Sequence, residues 1–216
     1  GVVACFMAKP IERYAGSGMH FHVSLADDAG RNVFSEAEGQ GWTPALLHAL
    51  GGLAETMAES MLVFAPHANS WRRFVSQSYA PVAPTWGVNN RSVALRIPAG
   101  ALAARRIEHR TAGVDANPYL VGATILAGIA RGLDGKLDPG PETTGNGYEG
   151  STTALARRDM PRDWRSAIEL ARSSAFLAGA LGADLHRTFC AIKHAEYLRV
   201  ARTVSELDYH LYLHEV

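Results

Sequence analysis

Cysteine is nearly absent from this chain of 216 residues: Cys5 and Cys190 stand far apart, and neither belongs to a CxxC or Cys/His spacing. That excludes a thiolate metal site and a disulfide-framed scaffold, and points to a reducing compartment with two ordinary thiols. Net charge is absent as well, with Lys+Arg and Asp+Glu equal at 21 each. Nothing in bulk therefore favours nucleic acid or an anionic membrane surface. No apolar run reaches spanning length; the longest, around Tyr119 to Ala130, is interrupted by Gly122, Thr124 and Gly128. No secretory leader pattern is read, and the expected location is the cytoplasm. Internal repeats and low-complexity tracts are missing, which excludes solenoids and disorder. What remains is 47% hydrophobic, enough for one sizeable core or two small ones.

Local pattern divides the chain into strands followed by helices. Val2 to Met7 reads as a buried strand with no polar lead-in, which predicts that the chain is a piece of something longer. Gly16-Ser17-Gly18 then opens a second strand with Phe21, Val23 and Leu25 on one face. Thr43-Pro44 supplies an N-cap and first-turn proline for a helix to about Phe64. From Asn69 to Trp86 the chain reads as an ordered loop, and Arg91 to Ile97 as a half-buried strand. Asn117-Pro118 starts a helix to about Leu133, apolar almost all round and so expected to be buried. Residues 134–150 read as a loop, followed by helices at about 163–178 and 183–213 with a break near Thr203 to Ser205. The fold class is α+β, with an antiparallel sheet and packed helices.

Two short runs carry the chemistry. In His20-Phe21-His22-Val23-Ser24 and Arg106-Ile107-Glu108-His109-Arg110, charged or metal-binding side chains recur at every second position. On a strand these share one face. If the two faces meet, a cation site forms beside two guanidinium groups, which suits a metal-bound phosphate. His20 and Glu108 are compatible with Mg²⁺, Mn²⁺ or Zn²⁺. Two ligands are not a complete shell, and a pair of half-exposed strand histidines remains the alternative. Arg73, Arg91, Arg96, Arg106 and Arg110 crowd a segment whose only nearby acids are Glu108 and Asp115. Buried guanidiniums need partners, and phosphate oxygens are suited to them. Strict alternation separates Arg91 from Arg96, so both face one site only through a bulge or if Arg91 precedes the strand. Of Arg72 and Arg73, one is expected to be solvated.

These residues also carry a resemblance. Gly16-Ser17-Gly18-Met19-His20-Phe21-His22-Val23-Ser24-Leu25, Asn89-Asn90-Arg91-Ser92, Arg96-Ile97-Pro98, Arg105-Arg106-Ile107-Glu108 and Asn117-Pro118-Tyr119-Leu120 resemble the glutamine synthetase catalytic domain, in the family's order and near its spacing. The resemblance spans most of residues 5–133, and the tail Glu206-Leu207-Asp208-Tyr209 is similar to the family's C-terminus. It implies that ATP phosphorylates the γ-carboxylate of glutamate and that an amine displaces the phosphate, with Mg²⁺ or Mn²⁺ as cofactor. By position it implies that His20 and Glu108 are metal ligands, that His22 and Ser24 contact nucleotide, and that Gly16, Arg73 and Arg110 bind glutamate. Arg91, Arg96 and Arg106 match phosphate-contacting arginines; Arg91 and Arg110 are the expected catalytic groups.

The chain also departs from the pattern. Ala15 stands where glutamine synthetases usually carry an Asn that contacts glutamate. In Ser78-Tyr79-Ala80-Pro81, Tyr79 replaces the glutamate that holds ammonium. A phenol supplies no such negative charge, but its ring can flank a longer amine. Together with Arg72-Arg73-Phe74, Trp86-Gly87-Val88-Asn89-Asn90-Arg91 and Gly113-Val114-Asp115-Ala116-Asn117-Pro118, this resembles γ-glutamylpolyamine synthetases, the γ-glutamylputrescine type included. The loop Ala99 to Ala104 is shorter and lacks a lysine of the bacterial enzymes. An organic amine is therefore expected as acceptor rather than ammonia, with Tyr79 at the substrate. The family's N-terminal domain and remaining metal-binding glutamates are expected upstream of residue 1, making residues 1–216 a catalytic-domain portion of a ring-forming homo-oligomer. Three rivals are a true glutamine synthetase using ammonia, a non-catalytic relative kept for assembly or binding, and a metal hydrolase built on HxH and Glu108. Retention of His20, Glu108 and the arginines argues against the second, and no third histidine has the spacing for the last.

Overall fold

Thr43 and Pro44 open the longest helix, as their order predicts. The Thr43 hydroxyl accepts from the Leu46 N–H at 3.2 Å and donates to the Val33 carbonyl at 3.0 Å, while the fixed φ of proline suits a first turn that needs no N–H partner. The computed structural model describes residues 1–35, 41–75, 78–81, 83–148 and 160–215. In chain order the elements are β1 (Phe21–Val23), α1 (Pro44–Phe64), α2 (Ala68–Trp71), β2 (Trp86–Val88), β3 (Leu95–Ile97), β4 (Ile107–His109), α3 (Pro118–Gly135), α4 (Trp164–Arg172), α5 (Ala175–Leu181), α6 (Ala183–Arg202) and α7 (Glu206–Tyr212). A 3-10 turn at Leu102–Ala104 leads into β4.

The sheet order is β1-β4-β3-β2. β4 is antiparallel to both β1 and β3, as expected; β2 and β3 run parallel. Strands of three residues allow this, because the short wide loop 89–94 can carry the chain back to the start of β2. One sheet face carries Leu95, Ile97 and Ile107 into a core shared with Leu46, Leu50, Met57, Met61 and Phe64 of α1.

Three sequence readings are corrected. Val2 to Met7 forms no strand, and Val2, Val3, Phe6 and Met7 are exposed; apolar composition does not make a strand where no neighbouring strand among the described residues offers backbone partners. The helix expected over 163–178 is broken, because the Ser174 side chain accepts from the Leu177 N–H at 2.9 Å and caps α5 as a new helix. α3 is not buried all round: Tyr119 is 85% and Leu126 55% exposed, since only the face bearing Val121, Ile125, Gly128, Ile129 and Gly132 meets α1. The break between α6 and α7 falls at 203–205 as expected. The loop expected over Asn69 to Trp86 overlaps α2 at residues 69–71, and its residues 76, 77 and 82, with residues 149–150 of the later loop, lie outside the described set.

α1 and α3 cross at backbone contact. A Cβ on Gly52 would lie 2.1 Å from the Gly128 carbonyl oxygen, and one on Gly132 2.0 Å from the His48 carbonyl oxygen. Nothing that close can be accommodated without moving a helix. Gly132→Ala is expected to destabilise the chain by about 1–3 kcal/mol, although Gly→Ala in an open helix position stabilises by up to about 1 kcal/mol. Gly122→Ala, whose Cβ would meet only Phe21 Cε1 at 3.7 Å, is the control expected to be neutral or stabilising. Urea unfolding of both variants checks the pair.

Candidate active site

β4 lies between β1 and β3, so its solvent-side residues meet both neighbours. His22 pairs with Glu108 across one ladder and Arg96 with Glu108 across the other, which sets imidazole, carboxylate and guanidinium in one row. Arg106 and Arg110 flank Glu108 at two-residue spacing on the same face. Ile107 and His109 point into the core, where the His109 ring packs on Phe64 at 4.6 Å.

Glu108 is only 3% exposed. Its Oε1 accepts from Arg110 Nη1 at 2.6 Å and lies 2.9 Å from His20 Nδ1; its Oε2 accepts from Arg96 Nη1 at 2.6 Å. Burial alone would raise its pKa, but the Arg96 hydrogen bond and the charges of Arg110 and Arg96 prevail and hold it below the ordinary value. His20 is pushed down by burial and by Arg110, against the opposing pull of Glu108. It is therefore neutral near pH 7. Its Nδ1 and Glu108 Oε1 face each other 2.9 Å apart, close enough for one ion to bind both.

Arg91 sits in the bend before β3, which settles how it and Arg96 reach one place. Its carbonyl accepts from Arg110 Nη2 at 3.2 Å. The turn is fastened from outside. Asn90 Oδ1 accepts from the Ser92 N–H at 2.9 Å, while Asn90 Nδ2 donates to the carbonyls of Thr143 at 3.2 Å and Gly145 at 2.8 Å. Together His20, Tyr79, Arg91, Arg96, Glu108 and Arg110 line a cavity of about 340 Å³. Tyr79 is 66% exposed and has φ 57°, a left-handed conformation that costs a bulky L-residue about 1–2 kcal/mol.

The remaining expected residues lie beside this cavity rather than on its wall. Arg106 Nε donates to His22 Nδ1 at 3.0 Å and Arg106 Nη1 to the Ala104 carbonyl at 3.0 Å. Ser24 is exposed just beyond β1. Arg73 is 5% exposed, whereas Arg72 is exposed. A Cβ on Gly16 would fall 2.6 Å from Arg73 Cγ, so glycine there lets the arginine stem pass. Asn89 is a site residue to which the sequence reading assigned no role: its Oδ1 accepts from Arg96 Nη2 at 2.6 Å, at φ 48°. An Asn pair in a turn directly before an arginine was the available signal, since Asn tolerates left-handed backbone and carries an acceptor.

The donor set fits an anion with a cation beside it. Arg96 Nε and Arg110 Nε are buried without a hydrogen-bond partner, spare donors of the kind a phosphate would satisfy. Among the described residues no three His, Cys, Asp or Glu side chains gather as metal ligands. His20 Nδ1 and Glu108 Oε1, 2.9 Å apart, thus fit two adjacent positions of a divalent-metal shell, not a whole one.

The comparisons bear first on the class of protein. An α+β chain in the GmaS–ADP complex superposes with TM-score 0.85 and 32% identity, covering 97% of this chain and 49% of that one. The particular family follows from the sequence: the profile described as glutamine synthetase, catalytic domain, matches residues 1–212, and this chain belongs to that family. It is 42% identical to the γ-glutamylputrescine synthetase PuuA of Escherichia coli (strain K12), over 95% of this chain and 42% of the relative. It is 38% identical to the γ-glutamylethanolamide synthetase GlnA4 of Streptomyces coelicolor, over 86% of this chain and 38% of the relative. The chain therefore spans less than half the length of these curated relatives. Among the described residues no helix is long and apolar enough to cross a membrane.

The site makes folding acid-sensitive. Burial pushes His109 from 6.5 down to about 3, so the unfolded chain takes up a proton that the folded chain refuses. Stability is complete above pH 6.5 and declines as pH falls toward 3. Glu108, with its lowered value, adds stability that is present above the ordinary carboxylate range and lost as pH falls through its folded pKa. His109→Phe, which can still pack on Phe64, is expected to flatten the pH dependence between 6.5 and about 3. Urea midpoints measured across that range check it, and an unchanged slope assigns the sensitivity elsewhere.

Proposed function

We propose that this chain is the catalytic-domain portion of an ATP-dependent glutamate–amine ligase that forms γ-glutamyl amides through γ-glutamyl phosphate, with a polyamine or another organic amine as acceptor. The observation that carries the reading is the composition of one cavity: three guanidiniums, a neutral histidine and a carboxylate at one end, and Tyr79 rather than an acid at its rim. A solved relative binds ADP, which supports the nucleotide in this reading. The putrescine and ethanolamide in the relatives' names support an organic acceptor.

In this reading a γ-carboxylate oxygen of glutamate attacks the terminal phosphorus of ATP and ADP leaves. The amine nitrogen then attacks the acyl carbon, loses a proton, and phosphate departs. Such chemistry asks the protein mainly to position and neutralise phosphoryl oxygens. Arg91, Arg96 and Arg106 are assigned to those oxygens, with Arg91 set to stabilise charge during transfer. Arg110 and Arg73, with Gly16 giving Arg73 room, are assigned to glutamate. His22 and Ser24 are assigned to the nucleotide. Bound Mg²⁺ or Mn²⁺ would supply further neutralisation, held in part by His20 and Glu108.

Tyr79 is assigned to the acceptor. The cavity's arginines outnumber its one acid, so a cationic tail finds no free carboxylate on the described wall, and the phenol ring is the group able to flank it. The whole protein is proposed to be a cytoplasmic homo-oligomeric ring in which upstream carboxylates complete the metal shell. Accordingly the 216 residues alone are expected neither to turn over ATP nor to form the ring.

With ATP, Mg²⁺ and glutamate, the whole protein is expected to release phosphate with putrescine at a kcat/KM at least about tenfold above that with ammonium, a difference of about 1.4 kcal/mol. Preference for ammonium overturns the acceptor assignment, and absence of any amine-dependent phosphate release overturns the ligase. Tyr79→Glu is expected to narrow the ratio toward ammonium by at least about threefold, through the carboxylate it restores. A ratio unmoved by that change removes Tyr79 from the acceptor site.

A further inference from the structure

Arg73 is a buried guanidinium with few partners. Among the described residues its guanidinium makes one hydrogen bond, from Nη1 to the Thr111 carbonyl, long at 3.4 Å, and the Phe74 ring lies 5.5 Å from its Cζ. Burial works against its charge, and the opposing influence comes from Asp115. The geometry explains how. A Cβ on Gly113 would lie 2.3 Å from Asp115 Oδ1 and 3.1 Å from Arg73 Nη1, so carboxylate and guanidinium converge on the same bare Cα. Only a glycine leaves room for both.

Asp115 is itself fixed in orientation. Ser70 Oγ donates to its Oδ2 at 2.7 Å and accepts from the His67 N–H at 3.0 Å. Oδ1 is buried and without a hydrogen-bond partner. The backbone around the pair is tied down as well, with Met19 N–H donating to the Ala112 carbonyl and Gly113 N–H to the Phe64 carbonyl, each at 2.9 Å. Asp115 is not among the residues that line the cavity.

We infer that Asp115, oriented by Ser70, is a positioning residue that holds the Arg73 guanidinium in place for the carboxylate of the amino-acid substrate. The inference rests on the ligase reading for the identity of that substrate, and on the geometry around Gly113 for the proximity of Asp115 to Arg73.

Two measurements on the whole protein separate these. In a double-mutant cycle of Asp115→Asn and Arg73→Met followed by urea unfolding, the two effects are expected to be non-additive. Additivity overturns the proposal whatever the substrate. In steady-state kinetics, Asp115→Asn is expected to raise KM for glutamate about tenfold while KM for ATP stays within about twofold, and Ser70→Ala to move it the same way by less. An unchanged glutamate KM, or equal rises in both constants, overturns the positioning role. Coupling in the cycle combined with no glutamate-dependent phosphate release by the unaltered protein sinks the ligase reading and leaves the Asp115–Arg73 pairing standing.

Discussion

One carboxylate holds the charged face of the sheet together. Arg96 reaches Glu108 from β3 and Arg110 from just beyond β4, each at 2.6 Å, and without it two guanidiniums would face each other in a half-buried setting. Removing one partner from such a buried arrangement costs about 3–5 kcal/mol. The same group also faces His20, whose Nδ1 lies 2.9 Å from Glu108 Oε1. Register matters accordingly. A slip of one residue in β4 would turn Glu108 into the core and bring Ile107 and His109 out to the surface.

How much of this could be read from sequence depended on how far apart the interacting residues lie. Period-two spacing was enough to put Arg106, Glu108 and Arg110 on one face, and the Thr43-Pro44 and Asn117-Pro118 pairs marked two helix starts, because strand pleat and helix capping are local. Val2 to Met7 misled, since a strand needs a neighbour and composition does not supply one. The interruption at Ser173-Ser174 was hidden because amphipathic spacing continues through it while the Ser174 hydroxyl is already capping α5. Whether Arg91 and Arg96 share a site was undecidable locally. It is settled by Asn90, whose side chain is tied to carbonyls more than 50 residues along the chain.

The helical layer gives this sheet a fixed base. α1 supplies Phe64 and Met57 beneath His109 and Thr111, and its crossing with α3 is so close that neither helix can slide without a backbone clash. The segment from Gly140 to Gly147 does for the opposite edge what the helices do for the face. Trp86 Nε1 donates to the Gly140 carbonyl at 2.9 Å, the Val88 N–H to Glu142 Oε1 at 3.0 Å and the Gly147 N–H to Ser92 Oγ at 2.8 Å. β2 is therefore not left as an open edge able to recruit another chain.

Tyr79 and Glu108 share one cavity but differ in what the fold asks of them. Glu108 is a structural keystone, so a change there is penalised before any reaction is considered. Tyr79 is exposed, sits in a backbone conformation that suits glycine or asparagine better, and lies outside the hydrophobic core. A lineage carrying this architecture is free to exchange the rim residue while the charged floor stays constant. Under the proposed reading, new acceptor amines become accessible through single substitutions that leave the activation step intact, and the physical separation of the two demands makes the scaffold evolvable on one side only.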